Sequence, residues 1–295
     1  MNEGYAVHHD GQRQGRVKLI LWPALLLVAT ILTTVTAGAL YQGADIFSNP
    51  GSMTQGIPFS AALLAILGTH ELGHYVASRR HGVQTTLPLF IPGPPIPPMI
   101  GTFGAVIRIR SAITTKNALV DIGAAGPLAG FVVAIFVTGY GLSLSTVAPY
   151  MPTGQTLGLG SSLIFRFLSY LTLGVTPEGV EIFLHPVAFA GWIGLFVTAM
   201  NLLPLGQLDG GHIVYAVIGT RHRWFSIVMA ATLIALGAVY WSGWFVWAAL
   251  ISIIGLGHPP IEDQSVPMDA KRRVITAIST AVFVLTFMPA PFYII

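Results

Sequence analysis

The chain has 295 residues, of which only 14 are Lys or Arg and 11 are Asp or Glu. Charged residues make up 8% of the sequence, against about 25% in an ordinary soluble domain. Together with 54% apolar residues and a mean hydropathy of +0.74, this excludes a water-soluble globule and intrinsic disorder, and indicates a membrane-embedded chain. The net charge of +3 fits basic loops at one membrane face better than nucleic-acid binding. Because Cys is absent, any metal must be held by His, Asp or Glu.

Uncharged runs long enough to cross a bilayer, about 20 residues each, divide the chain into about seven predicted spans. They are expected at residues 19–40, 57–78, 118–144, 186–203, 224–240, 243–257 and 274–293. The first run is longer than the apolar region of a secretory signal peptide, which favours a retained anchor. The sequence thus predicts an all-α polytopic membrane protein in which residues 1–295 form a single integral membrane domain. Residues 219–295 are expected to supply additional C-terminal transmembrane helices.

The distribution of basic residues gives an independent test of these spans. With the N-terminus in the cytoplasm, every Lys and Arg except Arg166 falls on the cytoplasmic side of the predicted topology. Positive charge concentrates on the cytoplasmic side of membrane proteins. We therefore expect a multi-pass protein of the cell membrane with a cytoplasmic N-terminus.

The segment after the second span is not expected to be helical. Six prolines lie between Thr85 and Arg110, and proline interrupts helices. Residues Gly104–Arg110 then alternate in the way that is typical of a strand, which predicts a small membrane-associated β-strand element. We hypothesise that the edge of this strand pairs with an unwound substrate segment, the alternative being a plain structural hairpin. Further along, Ser161–Leu173 is expected to form an amphipathic surface helix.

The string His70-Glu71-Leu72-Gly73-His74 lies inside the second predicted span. Residues four apart share one face of a helix, so both imidazoles can reach one metal ion while Glu71 stands beside its bound water. Such a short motif also arises by chance. Within a span, however, each ionisable residue costs about 2.5–3.5 kcal/mol on insertion scales, so three of them in five residues indicate a function.

A catalytic zinc ion takes three protein ligands and leaves a fourth position for water. Three residues are candidates for the third ligand: Asp121, Asp209 and His212. Asp121 lies near the start of the third span, where the helix dipole also favours a carboxylate. Asp209 follows a helix break predicted at Pro204 and a Gly pair, although Asp in such a place often caps the next helix. Charge favours Asp209, because Zn²⁺ with two neutral imidazoles, one carboxylate and a hydroxide has no net charge. A neutral group is less costly to bury inside a membrane than a charged one.

Two motifs together carry a family resemblance. The His70–His74 string in one span, and Asn201-x-x-Pro204-x-x-x-Leu208-Asp209-Gly210 in a later one, resemble the site-2 protease family of intramembrane zinc metalloproteases. The stretches 101–108 and 125–130 are also similar to members of that family, including the pair Gly126 and Gly130. The likeness covers about 57–215, which is the expected catalytic core.

This resemblance implies one Zn²⁺ held by His70, His74 and Asp209, with Glu71 as general base. It also implies that Asn201 positions the substrate or stabilises the oxyanion. The implied activity is hydrolysis of a peptide bond in or near the transmembrane segment of a membrane-anchored substrate, either a single-span protein or a residual signal peptide. The active site would lie toward the cytoplasmic side.

The sequence supports two further expectations, one about domain organisation and one about an alternative function. The segment between the third and fourth spans is about 40 residues, too short for the PDZ module that many family members carry there, so a compact form is expected. The alternative function is a divalent-metal transporter that uses the same ligands, since intramembrane ionisable residues also mark transport paths. A transporter does not need Glu71 as a base and would benefit from a file of ligands across the bilayer, which the sequence does not show beyond Asp121.

Overall fold

The computed structural model describes residues 4–149, 157–177 and 180–294. This part of the chain contains nine α-helices, and a short 3-10 helix at Pro50–Gly56 precedes the second of them. The helices are α1 Gly4–Tyr41, α2 Ile57–Arg80, α3 Lys116–Ser143, α4 Leu163–Leu173, α5 Pro186–Asn201, α6 Asp209–Ile218, α7 His222–Val239, α8 Gly243–Ile254 and α9 Ala270–Thr286.

Six short strands form three antiparallel pairs among the described residues. The pairs are β1 Leu89–Pro92 with β2 Thr102–Val106, β3 Thr146–Pro149 with β5 Val180–Phe183, and β4 Leu157–Leu159 with β6 Phe292–Ile294. The predicted fold class is confirmed in its coarse form, a mostly helical chain with apolar helices and a few small strands.

Four helical segments of the described chain are long and apolar enough to cross a membrane. They are Leu21–Tyr41, Pro50–Arg80, Lys116–Ser143 and Asp209–Val239. The expected number of seven spans is not confirmed, because α5 and α8 are apolar but have only 16 and 12 residues. The last predicted span, 274–293, is not one helix. Helix α9 ends at Thr286, shortly before Pro289 and Pro291, neither of which has an N–H to continue a helix.

The described chain divides into two compact units, and the first comprises Met1–Ala61 and Thr86–Arg108. Here α1 packs against the β1–β2 hairpin, and the Thr33 hydroxyl donates a hydrogen bond of 2.6 Å to the Gly101 carbonyl. The predicted β element is present, but its second strand ends at Val106 rather than at Arg110. Beyond Val106 the regular ladder stops, and the Arg108 N–H donates to the Thr86 hydroxyl instead.

The second unit comprises Ala62–Thr85 and Ile109–Ile295, and α3 lies at its centre in contact with α4, α5, α6 and α9. Small residues make this packing close. A Cβ on Gly141 would lie 2.2 Å from the Ala188 backbone nitrogen on α5, so only glycine fits there. This packing places the end of α5 and the start of α6 beside α3. The single-domain organisation of 1–295 and the boundaries of the 57–215 core stay predictions.

Candidate metal centre

The two histidines of the H-E-x-x-H string lie on one face of α2, as their spacing predicts. Both side chains are buried, with 6% of each residue exposed, and their Nε2 atoms are 3.0 Å apart. Glu71, the residue after His70, is buried as well. The helix therefore buries two imidazoles close together, and it also buries the carboxylate of the residue that follows the first of them.

Asp209 is brought to the same point by the break between α5 and α6. Its Oδ2 atom lies 3.2 Å from His74 Nε2 and 3.3 Å from His70 Nε2. Asp209 is the first residue of α6, and the N-cap position is Leu208, so the carboxylate is not spent on capping the helix. An acidic side chain in the first turn is also favoured by the helix dipole.

The Gly pair after Asp209 has a different role from the predicted one. Gly210 and Gly211 lie inside α6 and do not break a helix. A Cβ on Gly210 would lie 2.1 Å from the Leu202 carbonyl oxygen, and one on Gly211 would lie 2.4 Å from the Gly206 carbonyl oxygen. The pair therefore lets the α5–α6 loop fold back tightly onto α6, which fixes the position of Asp209.

The three donor atoms match the requirements of one zinc ion. Ligands about 2.0–2.1 Å from a tetrahedral zinc lie roughly 3.3 Å from one another, close to the separations of 3.0, 3.2 and 3.3 Å among these atoms. His74 Nδ1 donates a hydrogen bond of 2.7 Å to the Ile122 carbonyl, which leaves the Nε2 lone pair for a metal. Within the described ranges, His70, His74 and Asp209 are the one set of three such side chains close enough to share an ion.

Two glycines of α3 make room for the histidines. A Cβ on Gly126 would lie 2.1 Å from His74 Nε2, and one on Gly130 would lie 3.2 Å from His70 Cβ. The glycines are four residues apart, as the histidines are, and they face them in reverse order. The sequence interpretation linked this pair to helix packing and to the family resemblance. The sequence did contain a signal for this contact, because the two glycines and the two histidines have the same four-residue spacing.

Asp121, the first competing candidate for the third ligand, lies in a different cluster. Its Oδ2 atom accepts a hydrogen bond of 2.8 Å from His81 Nε2, and its carboxylate forms an ion pair with the Arg272 guanidinium. Arg272 also pairs with Asp269, its Nη1 lying 2.9 Å from Asp269 Oδ2. The structure therefore does not bring Asp121 to the histidine pair.

His212, the second competing candidate, is held by another histidine. His258 Nδ1 donates a hydrogen bond of 2.6 Å to the Pro259 carbonyl, so its Nε2 is free to accept. His212 Nδ1 donates to that Nε2 atom at 2.6 Å. Burial lowers the pKa of His258, which favours the neutral ring that this arrangement requires. The sequence contains no signal for this partner, which follows α8, 46 residues further along the chain.

Asn201, the last residue of α5, borders the metal centre. Its Nδ2 atom lies 3.3 Å from His70 Nε2, although the two residues are 131 positions apart in the sequence. Glu71 is buried and lies between the two histidines in the sequence of α2. His70, His74, Asn201 and Asp209 therefore each lie within 3.3 Å of another member of this group, and Glu71 is the residue next to His70 on α2.

Comparisons with known proteins identify a family for this chain. The profile of peptidase family M50 matches residues 58–241. The chain is 29% identical over 256 residues to the probable zinc metalloprotease EGY2, chloroplastic, of Arabidopsis thaliana, covering 83% of this chain and 44% of that protein. It is 30% identical over 257 residues to the EGY2 protein of Oryza sativa subsp. indica, covering 83% and 45%.

A third relative, the probable zinc metalloprotease EGY1, chloroplastic, of Arabidopsis thaliana, is 35% identical over 167 residues, or 55% of this chain and 30% of that protein. The chain thus spans less than half the length of the curated relatives it matches. The region matched by the family profile, residues 58–241, includes the histidine pair, Asn201 and Asp209.

Proposed function

Because the chain belongs to peptidase family M50, the site-2 protease family of zinc metallopeptidases, we propose that it is an intramembrane zinc endopeptidase. It hydrolyses a peptide bond in or near the transmembrane segment of a membrane-anchored substrate. The observation that carries this proposal is the buried cluster of His70, His74 and Asp209 on helical segments of membrane-spanning length. The family and its named relatives support hydrolysis over metal transport.

The chain's own residues supply the metal site and the proton transfers. His70, His74 and Asp209 hold one Zn²⁺ through two nitrogens and one oxygen, the donor set of many catalytic zinc sites. Zinc in such a site acts as a Lewis acid and lowers the pKa of water to about 7. Glu71 is the general base that takes a proton from the attacking water and then delivers it to the leaving amine. Its burial shields that proton from bulk solvent.

Asn201 positions the substrate. Its amide nitrogen, 3.3 Å from His70 Nε2, is a donor beside the metal cluster. A donor held at that place can bind the carbonyl oxygen of the scissile bond and stabilise the negative charge that develops on it. Because Asn201 ends α5, its backbone is anchored by a helix rather than by a loop alone.

The place of the metal centre along α2 supports water access from one membrane face. His74 precedes Arg79 by five residues, about 7–8 Å of helix at 1.5 Å per residue. The charge distribution supports the proposal that this face is the cytoplasmic one. We propose further that the membrane is the cell membrane. The substrate is a single-span protein or a residual signal peptide, whose helix must unwind before its carbonyls are accessible. The β1–β2 hairpin is proposed to pair with that unwound segment.

A direct test compares the wild-type chain with Glu71→Gln in the cleavage of a labelled single-span peptide in proteoliposomes. We expect the variant to keep one equivalent of zinc and to lose cleavage by about 10²–10⁴-fold, the usual contribution of a general base. His212→Asn is the matched control, because it changes a partly buried residue that lies on the same helix as Asp209 and pairs with His258. Full cleavage by Glu71→Gln would reject the assigned base.

The transporter alternative is tested in the same vesicles with a zinc-sensitive dye enclosed inside them. A protease leaves the dye signal unchanged while the peptide is cut. Zinc uptake that persists in Glu71→Gln, without cleavage by the wild type, would replace the proposal with transport.

A further inference from the structure

A groove on the second unit is separate from the metal centre and has the shape and charge of a lipid site. It encloses about 490 Å³ between α2, α3 and α9. Volumes of about 300–1,000 Å³ are typical of small-molecule sites. Each helix contributes apolar side chains to the groove: Leu72 and Val76 on α2, Leu128 on α3 and Ile275 on α9. Leu72 and Val76 are 52% and 38% exposed, so this wall is apolar and open.

The two ends of the groove differ in chemistry. One end is formed by Leu72 and Leu128, together with small side chains such as Ala129. The other end holds Arg80, at the C-terminus of α2, and Lys271, in the first turn of α9. The groove therefore runs from an apolar end to a basic end, and Leu72 and Arg80 are about 12 Å apart along α2 at 1.5 Å per residue.

The basic end has charge available for a ligand. Among the described residues, neither Arg80 nor Lys271 has a side-chain hydrogen bond or ion pair, whereas Arg272 is paired with Asp121 and Asp269. The Asp121 carboxylate also lines this end, but it is neutralised by Arg272 and accepts a hydrogen bond from His81. The result is two free cations above an apolar wall.

We propose that this groove binds an anionic phospholipid, with its phosphate between Arg80 and Lys271 and an acyl chain along Leu72, Val76 and Leu128. Basic pockets between transmembrane helices bind such headgroups, and the apolar wall requires a ligand with a hydrocarbon chain. The inference rests on the chain lying in a membrane and is independent of its proposed peptidase activity.

The test measures lipid retention by the full chain in detergent, using native mass spectrometry. The probes are dioleoyl phosphatidylglycerol and dioleoyl phosphatidylcholine, which share acyl chains and differ in net charge. We expect preferential retention of phosphatidylglycerol by the wild type. The double variant Arg80→Gln/Lys271→Gln should retain it about 25-fold less, at roughly fivefold per basic residue.

The matched control is Arg79→Gln/Arg273→Gln, which removes one charge from each of the same two helices. Arg79 is next to Arg80, Arg273 is two residues after Lys271, and neither residue lines the groove. This variant should bind within twofold of the wild type. If both double variants lost phosphatidylglycerol retention equally, the lipid would be bound by diffuse surface charge, and the proposed site would be rejected. Displacement of the lipid by glycerol phosphate alone would also overturn it, because a small-anion site needs no acyl groove.

A second measurement does not depend on removing charges. A photoreactive side chain at Ile275, in the groove, should capture phosphatidylglycerol in excess of its share of the membrane. The same group at Ile278, which is 48% exposed and outside the groove, should reflect the bulk lipid composition. Bulk composition at both positions, or capture of the substrate peptide instead of lipid at Ile275, would contradict the proposal.

Discussion

The metal centre and the ionic cluster around Asp121 are built from similar residues but are electrically different. Each joins histidine to an aspartate carried by another helix or loop, with side-chain atoms about 3 Å apart. At Asp121 the guanidinium of Arg272 supplies a full positive charge, so the carboxylate is already neutralised. At Asp209 the facing groups are two imidazoles, one of which already donates its Nδ1 proton to a carbonyl.

This difference explains why one cluster suits a divalent ion and the other does not. A buried carboxylate without a cation is costly, and a metal ion removes that cost at Asp209. At Asp121 a metal ion would have to displace Arg272. The type of residue therefore does not distinguish the two sites, whereas the presence of a fixed positive partner does.

The two clusters are distinguished most clearly when their aspartates are changed separately. Asp209→Asn should lower the affinity for zinc by at least about 100-fold, because it removes the one charged ligand. Asp121→Asn should leave zinc content at one equivalent. Competition with a zinc chelator measures the affinity and elemental analysis of the purified variants measures the content, and equal zinc loss in the two would contradict the assignment of the ligands.

The second test concerns the space beside the histidines. Gly126→Ala would place a Cβ 2.1 Å from His74 Nε2, so the ring must move and zinc affinity should fall about 10–100-fold. Gly139→Ala in the same helix meets no atom within 4 Å and should keep full zinc content. Competition with a zinc chelator compares the two. An unaffected Gly126→Ala variant would show that the histidines do not need this close approach.

The ionic cluster should matter for stability rather than for metal. Asp121→Asn leaves a partly buried Arg272 with a weaker partner, which should lower the free energy of unfolding by about 1–3 kcal/mol. Asp263→Asn, at an exposed turn capped by Ser265, is the control and should change it by less than about 0.5 kcal/mol. Thermal unfolding in one detergent measures both. A larger shift for the control would remove the stabilising role of the cluster.

The smallest expected effect is the pH dependence at the start of α9. The Arg272 backbone N–H donates to Asp269 Oδ1 at 2.8 Å, and this hydrogen bond lowers the pKa of Asp269. A carboxyl with a lowered pKa stabilises the fold above its ordinary value of about 3.9, and this contribution is lost as the pH falls through the folded-state pKa.

The Tm difference between the wild type and Asp269→Ala should therefore shrink between pH 6 and pH 3. Asp269→Asn retains a capping oxygen and should lie between the two. A difference that stays constant over this pH range would show that the charge of Asp269 does not contribute.

The proximity of His70, His74 and Asp209 was largely predictable, because helical spacing and charge neutrality act at the level of residue type. The four-residue step between His70 and His74 places both on one face of any helix, and neutrality favours Asp209 over His212. The neutralisation of Asp121 was not predictable, since Arg272 lies 151 positions away and its arrival depends on how α9 packs. The Ile122 carbonyl was also hidden, because every residue has one.

The span count was less predictable for a different physical reason. Hydropathy shows where apolar residues occur, but a helix ends where its backbone can no longer bond. The predicted fourth span includes Leu203, whereas α5 ends at Asn201, and this early end begins the loop that leads to Asp209 at the start of α6. The early end of α5 thus makes it too short to be counted as a membrane span. The same early end allows the chain to turn so that Asp209 reaches His70 and His74.

The hydrogen bond from His74 to the Ile122 carbonyl has a consequence for the kinetics of loading. It holds the ring of His74 in its ligating orientation through the backbone of α3, before any ion arrives. Uptake of the metal should then require little rearrangement, so its rate would be set by how fast an ion travels to the buried pocket. Release would be slow for the same reason, because a ring that cannot rotate away keeps recapturing the departing ion.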